Sequence, residues 1–314
     1  MTKSCSTSHG FFFPGVLREI VNDSIELLDE TIQRVRYLGP LRSYPQRHLA
    51  FSEDHDRNWF AGGGYAWDRL RNDSHLRERV NQWLAGSWMK TPYQLVVRDL
   101  YGEEDLEVPF LELLQEKEEK LRESLEHEGF DPFSLRSVFG DPEREFSRFC
   151  REIAASAAVP IKELALIDVA KKTTVSHRDV GIGISQVLPV LVSAMAAQNE
   201  TIAIEQPEIH LHPALQAELG DVFIEAALSG RGNRFILETH SEHLLLRIMR
   251  RIRETTTEKL PKGCTPITKD DVLVLYVEPD KDGAIAREMP LNEMGELVKA
   301  WPGGFFEEGL REIF

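Results

Sequence analysis

The sequence predicts an α/β protein, a mostly parallel sheet flanked by helices, that also carries a charged helical insertion. Two patterns predict it. From residue 163 onward, short apolar runs alternate with longer helical stretches, the order of parallel βαβ units. Between about 103 and 157 the composition turns heavily charged, as in LELLQEKEEKLRESLEHEG, with Glu and Lys recurring at three- and four-residue spacing. That spacing gives an exposed helical arm with ion-paired faces.

The elements follow in order. VLREIVNDSIELLDETI reads as a helix. VRYLGPLRSYPQRHLAF reads as a short strand broken by Gly39, Pro40 and Pro45, with Arg36, Arg42 and Arg47 beside the turns. The glycines at 62–64 precede a polar helical segment, AWDRLRNDSHLRERVNQWLAGSW, and YQLVVRDL at 93–100 is a strand. After the charged arm, ELALIDVA, KTTVSH, TIAIE, NRFILETH and DVLVLYVE read as strands, TIAIE and NRFILETH as buried ones. SQVLPVLVSAMAAQ, PALQAELGDVFIEAAL and EHLLLRIMRRIRE read as helices, and the closing AWPGGFFEEGLREIF as a tail packed on the body.

Composition bounds the class. The 314 residues are 42% hydrophobic and 28% charged, an ordinary globular balance with enough chain for a sizeable core. No window approaches the roughly 18 consecutive apolar residues of a membrane helix, and the N-terminal stretch is a poor signal peptide, so the expectation is cytoplasmic with no membrane. Three cysteines, Cys5, Cys150 and Cys264, make neither a disulfide framework nor a paired metal spacing. A net charge of −15 argues against a basic coat for wrapping nucleic acid. The densest basic run, Arg247, Arg250, Arg251 and Arg253, is either a solvated helix face or a patch for phosphates.

Three elements within sixty residues carry the chemistry. In DVGIGISQVLPVLVSAM at 179–195, a glycine-containing turn enters a helix near Ser185. Amides at a helix start bind anions, and Gly181 and Gly183 permit close approach. In TIAIEQPEIHLHP at 201–213, a strand ends in Glu205, where a carboxylate holds a nucleotide-bound magnesium ion through water, and Gln206 lies where a water-polarising group sits. In FILETHSEHLLLRI at 235–248, a strand ends at Glu238, Thr239 and His240, and the histidine is placed to contact a terminal phosphate.

The trio resembles the signature loop, Walker B strand and switch histidine of the ABC-type ATPases, in the branch with SMC, RecF and OLD-like proteins. IEQPEIHLHP, ETHSEHLLLR, the terminal WPGGFF and YLGPLRSYPQR look like a group of AAA-type ATPases with a C-terminal domain of unknown function. The resemblance covers about 34–100 and 163–314. It implies a remnant of the central ATPase segment at 1–100, the charged insertion at 101–160, and a C-terminal ATPase lobe at 161–314. It also implies catalytic roles for Glu205, Gln206 and His240, with Glu205 as the magnesium residue. Gly181, Gly183, Ser185 and Gln186 would contact ATP bound to another subunit. Gln206 stands where these enzymes place the catalytic glutamate, and an amide does not accept a proton as a carboxylate does, so hydrolysis is expected to be slow. Glu208 is an alternative base, and His210 and His212 fall in a loop that crosses toward a second subunit.

The loop GxxxxGK(S/T), whose amides and lysine cradle the β- and γ-phosphates, does not occur in this sequence. The resemblance places it before YLGPLR, where about 33 residues stand. The expectation is a split site completed by a Walker A-bearing partner, a truncated chain, or a subunit that has lost ATP binding. The isolated chain is expected to be inactive, with ATP and Mg²⁺ as cofactors only where a complementing loop is supplied. The resemblance further implies a homodimer or partner complex, with a nuclease effector or DNA, in repair or anti-phage defence. The alternative is a non-catalytic dimerisation or DNA-docking scaffold. A third reading, a nuclease built on Asp280 and Asp282, competes with a β-hairpin turn at EPDKDG. His210 and His212 also suggest zinc, with no third ligand in view.

Overall fold

The computed structural model describes residues 12–43, 58–86, 89–128, 141–155, 161–175, 180–281 and 283–302. Helix α1 (Phe12–Gln33) runs through Arg34 into strand β1 (Val35–Leu38). Helices α2 (Gly64–Asn72) and α3 (Ser74–Ala85), strand β2 (Tyr93–Leu100), and helices α4 (Glu103–Glu128) and α5 (Pro142–Ala155) come next. Then follow β3 (Ile161–Asp168), β4 (Thr173–Val175), α6 (Ile182–Ala196), β5 (Thr201–Glu205) and α7 (Pro213–Leu228). Strand β6 (Arg234–Glu238), helix α8 (Glu242–Thr256) and the strands β7 (Leu275–Asp280) and β8 (Gly283–Glu288) complete the order. Two compact units divide the described residues: the second runs from Val96 to Ala165, and the first takes those before and after it.

In the first unit, β1, β5 and β6 form a parallel sheet with β5 in the middle. The expected α/β class with a parallel sheet flanked by helices is therefore present. Its two faces differ. Leu38, Ile202 and Ile204 are fully or almost fully buried, and α6 packs on β5 while α7 packs on β6. Side chains alternate across a strand, so Val35, Tyr37, Thr201, Ala203, Arg234 and Ile236 belong to the opposite face. There Val35 is 45% exposed, Tyr37 44% and Ile236 62%. NRFILETH, expected as a buried strand, is thus half-buried on one face and open on the other.

Helix α6 forms the centre of the core. Every residue from Ser185 to Met195 is buried, and it packs against α2, α3, α7 and β5. Its sequence is apolar almost all round, which is the pattern of a wholly interior helix.

The expected single helix over AWDRLRNDSHLRERVNQWLAGSW is two helices. Asp73 takes an extended conformation between them and accepts the Leu76 amide at 2.9 Å. A side-chain acceptor with this geometry ends one helix and caps the next.

Strands β3 and β4 lie outside the parallel sheet. They form a second sheet with β2, and β3 and β4 are antiparallel. Residues 169–172 between them are too few for a crossover, so the chain can only turn back. The same argument applies to β7 and β8, paired as an antiparallel hairpin with Asp280 opposite Gly283. The turn reading of EPDKDG is the one the structure shows; Asp282 lies outside the described residues, as do Arg47 and the tail from Gly303. Trp301 packs edge-on against Tyr276 of the hairpin.

In the second unit, α4 packs on α5. Phe110 meets Phe149 edge-on at 5.8 Å, and Glu116 pairs with both Lys120 and Arg148. The charged arm is a helix pair with ion-paired faces.

The basic run on α8 binds its own neighbours. Arg251 donates to Asp221 at 2.7 and 2.9 Å, Arg247 to Asp221 and Glu218, Arg250 to Glu254, and Arg253 to the Met294 carbonyl. Hydrogen bonding to Asp221 holds the Arg251 guanidinium above its usual range. Arg247 and Arg251 clamp α8 to α7, Arg253 ties it to the segment after the hairpin and Arg250 pairs within α8, so of the two readings the phosphate patch is not what they form.

Two stability outcomes follow from these contacts. Asp221→Ala takes one carboxylate from buried Arg251 and half-buried Arg247, which keep Glu254 and Glu218, and is expected to cost about 2–3 kcal/mol in urea unfolding. Asp73→Ala removes the α3 cap at a cost of about 1 kcal/mol. The Leu76 amide holds the Asp73 carboxyl below its usual range. The cap is therefore intact at neutral pH and is lost as pH falls below the usual carboxylate range through that lower value. An acid titration of stability should lose this component in Asp73→Ala.

Candidate functional site

The site lies at the carboxyl edge of the parallel sheet. Strand register sets Glu205 at the end of β5 beside Glu238 at the end of β6. The chain then turns sharply. Gln206 takes a left-handed conformation with φ of 43°, its amide donates to the Glu238 carbonyl at 2.8 Å, and His210 is left-handed at 64°. Non-glycine residues are held in this region only where their surroundings over-determine it.

Arg42 does much of that holding. It is 4% exposed, and its Nη2 donates to the carbonyls of Glu205 at 2.6 Å and Gln206 at 3.2 Å. Its Nη1 donates to the Gln186 carbonyl at 3.3 Å. The Gln186 side chain returns the contact, donating to the Arg42 carbonyl at 2.8 Å and accepting the Arg42 amide at 3.3 Å. Burial pushes the guanidinium down to about 10, against the pull of the Glu208 carboxylate.

Glu208 is itself buried. Its Oε1 accepts the His240 amide at 2.8 Å, and its Oε2 has no hydrogen-bond partner. The residue expected as an alternative base thus anchors the backbone of His240. The His240 residue is exposed, and the next residue, Ser241, caps α8 by accepting the Leu244 amide at 3.1 Å. Ser241 also donates to Gln216 of α7 at 2.7 Å.

Tyr37 sits on the open sheet face and donates its phenol to Glu205 Oε1 at 2.6 Å. That bond to the carboxylate is the main reason its ionisation lies above the usual tyrosine range.

The structure therefore brings Glu205, Gln206, Gln186 and His240 into one connected edge. Gly181, at φ of 82°, is exposed at the start of α6. Gly183 serves an internal contact: a Cβ there would stand 2.7 Å from the His210 carbonyl, so only glycine lets the 206–212 turn lie against α6. Ser185 is fully buried and Gln186 nearly so, so neither side chain is presented to solvent. His212 accepts the Ala214 amide at 3.3 Å and caps α7. Among the described residues no group of three or more His, Cys, Asp or Glu is placed to hold a metal ion. As a donor set, Glu205 fits a carboxylate that joins a cation already carried by a nucleotide, rather than a site that binds one unaided.

Sequence reasoning passed over Tyr37 and noted Arg42 only as a basic residue beside a turn. No spacing rule marks either one, because their partners lie more than 140 positions away. Arg42→Lys keeps a charge but loses the fork. It is expected to cost about 2 kcal/mol and to speed hydrogen exchange at the Gln206 and His240 amides, read residue by residue.

No curated protein and no solved structure matches the chain. The model of the family described as the AAA ATPase domain matches residues 90–245, from the start of β2 through His240 into α8. The matched span takes in Glu205 and Glu238, the aligned ends of the parallel strands β5 and β6.

Proposed function

We infer that the chain contributes one part of a composite nucleotide site in an ATP-driven assembly, and that a phosphate-gripping lobe from outside these 314 residues completes it. The open sheet face carries the reading. Parallel sheets are ordinarily covered on both faces, and here the face left open among the described residues is the one that leads to Glu205 and Glu238.

Each residue then has a role its position permits. Glu205 orients water on the magnesium ion of bound ATP. Gln206 orients the attacking water without taking its proton, and exposed His240 meets the terminal phosphate. The turn at Gly181 and Gly183, with Ser185 and Gln186 behind it, faces a nucleotide on a second subunit of a dimer. ATP and Mg²⁺ are the cofactors, the setting is cytoplasmic, and the motion drives an effector such as a nuclease or a DNA-bound partner in repair or anti-phage defence. No helix among the described residues is long and apolar enough to cross a membrane.

One observation favours a second reading. Ser185 and Gln186 are spent inside the fold, as suits a scaffold that keeps the architecture for dimerisation or DNA docking without turnover.

The test mixes the purified chain with a polypeptide bearing GxxxxGK(S/T) encoded beside it. The half-site reading expects Mg²⁺-dependent ATP hydrolysis only in the mixture, its loss in Glu205→Ala, and a rise on the order of 10²-fold in Gln206→Glu, which restores a proton acceptor. No ATP binding and no turnover in any combination would sink it, and retention of biological function by Glu205→Ala would favour the scaffold.

A further inference from the structure

We propose that Tyr37 is a positioning residue for Glu205: its phenol occupies Oε1 and leaves Oε2 as the oxygen that faces a nucleotide-bound cation. The proposal rests on the half-site reading above and names a residue that reading does not use.

The geometry fixes Glu205 at two points. Its backbone carbonyl accepts from the buried Arg42 at 2.6 Å, and its Oε1 accepts from Tyr37 at 2.6 Å. The second distance is that of a short, charge-assisted O–H···O⁻ bond. Strand register explains the reach. Tyr37 pairs with Ala203, two residues before Glu205 on the same face, and the small Ala203 side chain beside it offers little obstruction.

The neighbour explains the need. Glu238 is aligned with Glu205 on the next strand, so two carboxylates share one edge. A neutral donor satisfies one oxygen of Glu205 without adding a competing cation.

A structural role for the hydroxyl is small. The ring is 44% exposed on the uncovered face, so Tyr37→Phe removes one hydroxyl and leaves the packing in place.

The experiment has two arms. In the isolated chain with ¹³Cζ-labelled tyrosine, NMR titration follows the Tyr37 phenol, assigned by its loss in Tyr37→Phe. Glu205→Gln is expected to lower the pH at which the phenol ionises, and an unchanged titration overturns the proposal. In the mixture with the loop-bearing polypeptide, Tyr37→Phe is expected to raise the Mg²⁺ concentration for half-maximal turnover about tenfold. The KM for ATP and the melting temperature are expected to stay unchanged. Glu205→Gln and the double variant are expected to match, because the hydroxyl acts only through that carboxylate. An unaltered Mg²⁺ profile, or a loss that adds to that of Glu205→Gln, overturns the proposal. A wild-type mixture without turnover sinks the half-site reading instead, and the phenol titration then decides alone whether Tyr37 holds Glu205.

Discussion

The arrangement depends on one buried cation. Arg42 reaches the carbonyls where β5 ends and the Gln186 carbonyl in α6 at once. Carbonyls left without a donor where the strand ends would cost about 1–3 kcal/mol each. A planar fork answers several carbonyls from a single side chain, which an ammonium does less well. The same contacts hold Gln206 in its left-handed turn, so the residue expected to face water is fixed by a group on the far side of the strand.

A second constraint comes from the sheet. Among the described residues, three parallel strands with helices against one face satisfy only half of what such a sheet needs. The packed face is conventional: Leu38, Ile202 and Ile204 beneath α6 and α7. The other face combines aliphatic and aromatic side chains with a carboxylate edge. Stability and chemistry thus divide between the two faces. Core residues that make the sheet fold point one way along each strand, and Tyr37 and Glu205 point the other.

Much of this was legible in the sequence, and the limits have physical reasons. TIAIE, PALQAELGDVFIEAAL and EHLLLRIMRRIRE announced themselves through periodicity and length, and Glu205 through its place at a strand end before Pro207. Sheet membership was not legible for ELALIDVA and DVLVLYVE. An apolar run has the same pattern whether its neighbour is parallel or antiparallel, and the short connections at 169–172 and 281–282 decided it. Break points inside polar helical stretches depend on one residue's conformation, as at Asp73. The arginines of α8 show the opposite limit. Their spacing was plain, but their partners Asp221 and Glu218 sit on a different helix, and pairing across helices leaves no mark on local pattern.

The glycine turn shows how a motif can be right in position and different in use. Gly181 and Gly183 stand where a backbone must come close to something. For Gly183 that something is the His210 carbonyl of the same chain. A turn held this tightly against residues 206–212 cannot shift without moving the Glu205 edge, and Arg42 with Gln186 ties the two a second time. On the half-site reading, a nucleotide that met this turn from a second subunit would therefore act on Glu205 and Gln206 through packed backbone, while the Ser185 and Gln186 side chains stay buried. The exposed groups at that point are those around Gly181, whose open surroundings leave its backbone accessible. Contact made by amides rather than by side chains asks for a glycine and a helix start, which is what the chain places there.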